Sequence, residues 1–391
     1  MEITHVPLLD LKAQNGPLKA AVLNRIEQVY DSGQFIMGEW LEQFEKEVAA
    51  YLEVKHAIGV SSGTDALLLS LMALGVGAGD AVITSTFSFF ATAGVISRLG
   101  ARPYFADIDP ETYNINARSA EAAIHRAQSD GARPKALIPV HLFGQSADMD
   151  KLMEIAASYG LAVVEDAAQA IGAQYPIDGC VKNVGTIGLC GCYSFFPSKN
   201  LGCLGDGGLT VTNDDNFAER LRLLRTHGAK AKYYHSDIGG NFRMDALQAA
   251  VLSEKLPHLD NWHKQRRRNA ERYRRMLAAT DLVSTGKVTP PAEKYPALPR
   301  GHIYNQFVLR VKERDSLRQF LNSRKIGNEI YYPLPFHMQQ CFRNLGYREG
   351  DFPVAEAAAR EVLAVPIYAE LTEEQQQYVI DAIAAFYAGR N

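Results

Sequence analysis

Residues 56–74 read HAIGVSSGTDALLLSLMAL, an apolar strand pattern joined through a short polar turn to a strong helix former. Further apolar runs follow at residues 81–85, 102–107, 135–141 and 161–166. Amphipathic segments separate these runs. This alternation is typical of parallel strands that are connected by helices and buried on both faces. The sequence therefore predicts an α/β fold with a mainly parallel central sheet covered by helices.

The segments that flank this block predict helices on the N-terminal side and a second, smaller α/β unit on the C-terminal side. A Pro- and Gly-rich stretch at residues 284–302 precedes a strand pattern at 303–311 and a closing amphipathic helix at 372–387. We expect a large domain at residues 1–255 and a smaller C-terminal domain at 256–391. The run of three arginines at 266–268 is most simply a solvated helix face.

Composition narrows the classes of function. The 391 residues are 47% hydrophobic and 22% charged, enough for a large core, and the net charge of −3 gives no general attraction to nucleic acid or anionic membranes. The N-terminal residues lack a signal-peptide pattern and no apolar run is long enough to span a bilayer, so we expect a cytoplasmic protein. The five cysteines show no paired CxxC spacing, and metal chemistry is unsupported.

The polar turn Ser61-Ser62-Gly63-Thr64-Asp65 is the first candidate binding site. A glycine-containing turn at a helix N-terminus offers free backbone N–H groups and a favourable dipole to a phosphate. Thr64 could donate its hydroxyl to the anion. Helix capping by Ser or Thr explains the same residues equally well when the turn is considered alone.

Asp166 and Gln169 form a second candidate, in LAVVEDAAQA at residues 161–170. Asp166 ends a buried apolar strand, at the sheet edge where α/β folds bind ligands. Its carboxylate could cap the next helix, or it could hold a protonated ring nitrogen of the kind that tunes pyridoxal chemistry. Gln169 lies one helical turn further on and could reach the same ligand.

Lys199 is the third candidate, in the segment SFFPSKNLGCLGDGG at residues 194–208. Burial of an ammonium group in such apolar surroundings is costly unless its pKa falls or it forms a covalent adduct. A lysine that forms a Schiff base meets that requirement, because the reaction needs a deprotonated amine. The alternative is a surface lysine in a flexible glycine loop.

The motifs SSGTDAL, EDAAQA and SFFPSKNLGCLGDGG, in this order, resemble the DegT/DnrJ/EryC1/StrS family of sugar aminotransferases, which have the type I aminotransferase fold. The likeness extends from VPLLDL near the N-terminus to YYPLPFH and VPIY near the C-terminus. It implies pyridoxal 5'-phosphate (PLP) as the cofactor. L-glutamate is implied as the amino donor, and a nucleotide-linked keto-sugar as the acceptor.

The resemblance also implies roles for individual residues. Lys199 would form the Schiff base with PLP and shuttle the proton, and Asp166 would pair with the pyridine nitrogen. Gln169 would contact an oxygen on the ring, and Phe89 would stack on the ring face. Asn241 would reach across a homodimer interface to the phosphate of the neighbouring subunit. The phosphate-binding residues within the same chain would be Ser62, Gly63, Thr64 and Ser194.

The acceptor is suggested by likeness to relatives that act on 3-keto sugars. We expect a UDP-linked N-acetylated 3-keto-hexose or hexuronic acid, used in cell-surface polysaccharide or lipopolysaccharide synthesis. A thymidine diphosphate 3-keto-6-deoxyhexose and a 4-keto sugar are the alternatives. Several C-terminal side chains could contact the sugar or could equally pack in the core: His302, Tyr304, Asn305, Tyr331, Tyr332 and His337.

Two other functions compete with amino transfer. A PLP-dependent sugar dehydratase would be expected to carry histidine where this chain has Lys199. A non-catalytic regulator would need no such lysine and would be expected to carry a DNA-binding module, for which this chain has neither the basic charge nor the room.

Overall fold

The computed structural model describes residues 3–389. In these residues the helices are α1 Leu11–Asn15, α2 Lys19–Ser32, α3 Glu39–Leu52, α4 Gly63–Ala73, α5 Ala91–Arg98, α6 Ala117–Ser129, α7 Met149–Tyr159, α8 Asp215–Arg225, α9 Ala246–Lys255, α10 Leu259–Ala278, α11 Arg314–Ser323, α12 Pro353–Glu361 and α13 Glu373–Ala388. The strands are β1 His56–Val60, β2 Asp80–Ser85, β3 Arg102–Ala106, β4 Arg133–Ile138, β5 Ala162–Asp166, β6 Gln174–Ile177, β7 Cys180–Asn183, β8 Cys190–Ser194, β9 Gly208–Thr212, β10 Ala229–Ala231, β11 Tyr234–His235, β12 Val288–Thr289, β13 Phe307–Val311 and β14 Val362–Val365.

The central sheet has seven strands in the order β1-β9-β8-β5-β4-β2-β3. All neighbours pair in parallel except β9, which runs antiparallel to both β1 and β8. The expected mainly parallel sheet is therefore confirmed. The sequence pattern does not identify β8 and β9, because glycine and cysteine interrupt the first and a glycine-rich loop separates the two.

Helices cover both faces of this sheet. On one face, β1 contributes Ile58 to a core that contains Leu67 of α4 and Leu221 of α8. On the other face, Ala57 of the same strand joins a core with Phe44 of α3 and Leu252 of α9. Successive side chains of a strand point to opposite faces, so apolar layers on both sides explain the nearly continuous apolar runs.

The C-terminal part is built on the antiparallel sheet β12-β13-β14, with α10 to α13 packed around it. Its core includes Phe105 and Phe143 from the larger part, so the two parts share one apolar cluster. The proposed domain boundary at residue 255 coincides with the end of α9.

Arg266 departs from the sequence expectation of a solvated arginine face. It is 1% exposed, and its guanidinium donates to the carbonyl oxygens of Tyr304 and Ile367, each at 3.0 Å. The buried charge joins α10 to two C-terminal loops, which composition alone does not reveal. Across residues 3–389, no helix combines the length and the apolar character needed to cross a bilayer.

Candidate active site

The candidate residues meet at one edge of the central sheet. Asp166 ends β5, Ser194 ends β8 and the turn from Ser61 to Thr64 follows β1. These three strands run in the same direction, since β1 and β8 are both antiparallel to β9 and β5 is parallel to β8. Their carboxyl ends therefore lie together, where ligands of α/β sheets bind.

The turn before α4 is arranged as an anion cradle. Ser62 is the N-cap, and its hydroxyl accepts the Asp65 N–H at 3.0 Å. The N–H groups of Gly63 and Thr64 form no hydrogen bond within residues 3–389 and lie at the positive end of α4. A Cβ atom on Gly63 would lie 2.7 Å from Cβ of Ser194, so only glycine lets β8 approach this closely.

Asp166 is held rigidly at the end of β5. The side chain is buried, and its Oδ2 atom accepts from the Thr92 hydroxyl at 2.8 Å while Oδ1 accepts from the Ala168 N–H at 3.2 Å. Burial raises the pKa of Asp166, whereas the Thr92 hydroxyl, the Ala168 N–H and the charge of Lys199 act to lower it. A buried carboxylate in this position can stabilise a protonated ring nitrogen.

Gln169 is oriented by both ends of its amide. Its Oε1 atom accepts the Phe143 N–H at 2.7 Å, and its Nε2 atom donates to the Tyr332 hydroxyl at 3.2 Å. The second contact joins the larger part of the chain to the C-terminal part. A ligand oxygen could accept the remaining N–H of this amide.

Lys199 lies in a well-anchored loop. The half-buried side chain makes no hydrogen bond to any described residue, so its Nζ atom is available for reaction. Burial lowers the pKa of Lys199 to about 8, although the Asp166 carboxylate acts in the opposite direction. Asn200 holds the loop through the Ile303 carbonyl at 3.1 Å, and Lys255 donates to the Gly202 carbonyl. Near neutral pH, a useful fraction of the Lys199 amine is therefore unprotonated and nucleophilic.

Phe89 and Asn241 both lie at the surface of this chain. Phe89 is 58% exposed, and its ring centroid is 6.4 Å from that of Tyr332. The exposed Asn241 accepts a hydrogen bond from Arg243 at 2.7 Å. The neighbouring Phe242 carbonyl accepts the Ser61 N–H, so this segment runs beside the cradle.

The C-terminal candidates have different environments. His302 stacks on Tyr304 with ring centroids 3.8 Å apart, and the Tyr304 hydroxyl donates to Glu293 at 3.0 Å. The buried His337 bridges Thr86 at 2.9 Å and Glu356 at 3.0 Å. These three side chains direct their hydrogen bonds into the protein, whereas Tyr332 contacts Gln169 and Phe89. Among these C-terminal candidates, Tyr332 directly contacts residues that are candidates for binding the cofactor.

Thr92 and Lys255 are site residues that sequence reasoning missed. Each is an ordinary helical residue in the sequence, since Thr92 lies in α5 and Lys255 ends α9. Thr92 lies three residues after Phe89, a spacing of about one helical turn, and this spacing could have identified Thr92 as a site residue. Lys255 is 56 residues from the lysine that it supports, and no local pattern connects the two.

Comparison with known proteins agrees with this geometry. The DegT/DnrJ/EryC1/StrS aminotransferase family matches residues 18–384. A "pleiotropic regulatory protein" of Geobacillus stearothermophilus is 49% identical, with 98% of this chain and 99% of that protein covered. A UDP-N-acetyl-3-dehydro-alpha-D-glucosamine 3-aminotransferase of Acidithiobacillus ferrooxidans is 42% identical, with 95% of each chain covered. A dTDP-3-amino-3,4,6-trideoxy-alpha-D-glucose transaminase of Streptomyces venezuelae is 41% identical over 98% of this chain and 96% of that enzyme.

Solved structures show the same architecture. A DegT/DnrJ/EryC1/StrS aminotransferase from Brucella abortus superposes with a TM-score of 0.90, 37% identity, and 98% and 99% of the two chains covered. NtdA from Bacillus subtilis, solved with bound pyridoxamine phosphate (PMP), gives a TM-score of 0.89 at 31% identity, with 100% of this chain and 86% of that chain covered. The cradle, the buried carboxylate and the unpaired lysine suit the phosphate, ring nitrogen and aldehyde of PLP. This chain belongs to the DegT/DnrJ/EryC1/StrS aminotransferase family, and it is a PLP-dependent aminotransferase.

Proposed function

We propose that this aminotransferase moves the amino group of L-glutamate to carbon 3 of a nucleotide-linked keto-sugar, a UDP-linked N-acetylated 3-keto-hexose or hexuronate. One observation carries the catalytic part of the proposal. An unpaired lysine with a lowered pKa and a buried, hydrogen-bonded aspartate lie at the sheet edge that also carries the anion cradle. Together these groups can hold PLP and move a proton beside it.

The residues of this chain have different roles in the proposed reaction. PLP, when bound, supplies an electron sink for the carbon from which a proton is removed. Asp166 would keep the ring nitrogen protonated, and Gln169 would donate to a ring oxygen. Lys199 would hold PLP through its Nζ atom and, when that amine is free, would accept the proton removed from the amino donor and deliver it to the carbon on the other side of the donor nitrogen. Gly63, Thr64 and Ser194 hold the phosphate, so the ring stays fixed during this transfer.

The choice of acceptor is supported by the relatives. One relative is named for a UDP-N-acetyl-3-dehydroglucosamine substrate, and another, from Pseudomonas aeruginosa, is a UDP-2-acetamido-2-deoxy-3-oxo-D-glucuronate aminotransferase. A dTDP-linked 3-keto-6-deoxyhexose is the second candidate, because similar enzymes are named for dTDP-linked 3-amino deoxy sugars, which are the corresponding amines. We place the reaction in the cytoplasm and in cell-surface glycan synthesis.

A homodimer with shared sites is part of the proposal. Its support is a set of large apolar side chains that are more than half exposed in the single chain: Phe89, Phe196, Leu204, Tyr233, Tyr234 and Ile238. Two of them, Phe89 and Phe196, lie within a few residues of Thr92 and Lys199. A second copy of the chain that covered this surface would enclose the site and bring its Asn241 to the cradle.

Neither competing function fits the site as well. A dehydratase of this fold would be expected to lack the lysine that is present at position 199. Names such as "pleiotropic regulatory protein" describe relatives as regulators. However, a regulator has no need of a lysine with a lowered pKa near a buried carboxylate.

The first half-reaction tests this proposal. We expect the purified protein with PLP to show the visible absorption of lysine-bound cofactor, and L-glutamate to convert it to the amine form with one 2-oxoglutarate released per chain. The Lys199→Ala variant should bind PLP without that absorption and turn over at no measurable rate. Lys264→Ala, which removes an exposed lysine from α10, is the matched control and should behave as wild type. Unchanged turnover in Lys199→Ala would overturn the assignment.

A further inference from the structure

A small recess lies beside the loop that carries Lys199. It is partly open and has a volume of about 70 Å³. The recess therefore has room for a small substituent. Residues from five separate segments line it, among them Leu8, Leu9, Ser198, Asn305, Gln306 and Tyr331.

The recess is next to the reacting groups. Ser198 directly precedes Lys199 in the chain. Tyr331 directly precedes Tyr332, whose hydroxyl accepts a hydrogen bond from Gln169. A molecule that lies against the cofactor site can therefore place a substituent in the recess.

Asn305 lines the recess and has a side-chain oxygen without a hydrogen-bond partner in the described part of the chain. The residue is 7% exposed, and its Oδ1 atom is buried without a partner. Its backbone N–H donates to the Phe143 carbonyl at 2.9 Å, which fixes its position. Buried polar side-chain atoms are nearly always hydrogen-bonded, so a donor on a ligand in the recess would satisfy this acceptor.

Asn305 and Gln306 together offer one acceptor and one donor. The Asn305 amide donates to Oε1 of Gln306 at 2.7 Å, which leaves Oδ1 of Asn305 and the amide nitrogen of Gln306 without partners within residues 3–389. Rotation of both amides by 180° exchanges the two roles and again leaves one donor and one acceptor. The pair therefore matches a ligand group that has both an N–H and a C=O.

The other walls of the recess select among sugar substituents. Leu8 and Leu9 supply an apolar surface, and no Lys or Arg is among the residues that line the recess. A carboxylate would be buried there without a counter-ion, which is unfavourable. A secondary amide that ends in a methyl group satisfies the donor, the acceptor and the apolar wall at once.

We propose that this recess binds the acetamido group of the acceptor sugar. Asn305 accepts its N–H, Gln306 donates to its carbonyl oxygen, and its methyl group packs against Leu8 and Leu9. The inference rests on the proposed function, because it identifies the substituent by which that acceptor is recognised. It makes the recess the feature that separates acceptors with an acetamido group from acceptors without one.

Equilibrium binding tests the recess without requiring turnover. The PLP-loaded enzyme, first converted to its amine form with L-glutamate, is titrated calorimetrically with UDP-N-acetylglucosamine and with UDP-glucose. These two molecules differ at a single sugar substituent, and neither carries the ketone that would react. We expect wild type to bind the acetamido sugar at least 10-fold more tightly. Asn305→Leu and Gln306→Leu should each narrow this preference to less than threefold, mainly by weakening UDP-N-acetylglucosamine.

Controls separate this proposal from the one on which it rests. Gln128→Leu removes an exposed amide from the end of α6 and should retain the wild-type preference. Retention of the cofactor absorption and of the glutamate half-reaction shows that each variant is folded. Equal affinity of wild type for the two sugars, binding of neither sugar, or an undiminished preference in both recess variants would overturn the recess assignment. Failure of glutamate to convert the cofactor would instead overturn the proposed function.

Discussion

Thr92 should control how well Asp166 supports the cofactor. The Thr92 hydroxyl is 2.8 Å from Oδ2 of Asp166, and the Phe89 carbonyl is further away at 3.1 Å. Its single proton therefore goes to the nearer, charged acceptor. Ser88, whose Oγ lies 3.0 Å from the same hydroxyl, can then donate to Thr92. Thr92→Val retains the shape of the side chain and removes this proton.

The expected loss follows from the strength of one hydrogen bond to a buried charge. Such bonds contribute about 1.5–3 kcal/mol. At about 1.4 kcal/mol for each factor of ten, Thr92→Val should slow the glutamate half-reaction roughly 10- to 100-fold. The pKa of Asp166 should also rise, because burial raises it and the Thr92 hydroxyl opposes that rise. Since the ionised carboxylate is the active form, the acid limb of the pH–rate profile should move to higher pH.

Stopped-flow absorbance with L-glutamate, repeated across a pH series, measures both effects. Thr92→Ser retains the hydroxyl and should restore most of the rate and the wild-type acid limb. Ser88→Ala leaves the proton of Thr92 in place and should have a smaller effect. A Thr92→Val enzyme within threefold of wild type, with an unmoved acid limb, would refute the role of Thr92 in positioning and ionising Asp166.

Three further predictions follow from the site. Burial lowers the pKa of Lys199 to about 8, and only the neutral amine captures PLP. The rate at which the cofactor-free protein captures PLP, followed by absorbance, should therefore rise through about pH 8 and then level off. A rate that continues to rise towards pH 10.5 would contradict this prediction. Gly63→Ala puts a Cβ atom 2.7 Å from Cβ of Ser194, so PLP should dissociate at least tenfold faster, and an unchanged dissociation rate measured by dialysis would show that the cradle does not depend on this close approach. If Asn241 acts across a dimer, Asn241→Ala should weaken PLP binding. A mixture with Lys199→Ala subunits should then contain hybrid dimers in which the intact Lys199 of one subunit and the intact Asn241 of the other serve the same site, which should bind PLP as wild type does. Analytical ultracentrifugation that found only monomers would rule this out.

The local sequence predicts the parts of the site that lie at strand ends and helix starts. Asp166 and the cradle could be predicted because a strand, a turn and a helix follow one another directly in the chain. Lys199 was predicted from the conflict between its charge and its apolar, glycine-rich surroundings. The structure adds that its loop is tied down by Asn200 and Lys255.

Other features depend on contacts between residues that are far apart in the chain. The hydrogen bond between Gln169 and Tyr332 joins residues separated by 163 positions, and no periodicity encodes it. His337 lies in the same YYPLPFH motif as Tyr332, yet both of its ring nitrogens are hydrogen-bonded within the protein, to Thr86 and Glu356. The recess amide of Asn305 could be recognised only after its unpaired oxygen was located in the fold.

Transfer of labelled nitrogen tests the central claim most directly. The protein is incubated with PLP, L-glutamate labelled with ¹⁵N and a UDP-linked N-acetyl-3-keto-hexose, and the sugar product is analysed by mass spectrometry. The account predicts an amino sugar that carries the label with wild type, and no labelled sugar with Lys199→Ala. A panel of 3-keto and 4-keto nucleotide sugars extends the test. If 2-oxoglutarate is released but none of these sugars gains the label, the assignment of a nucleotide-sugar acceptor is contradicted.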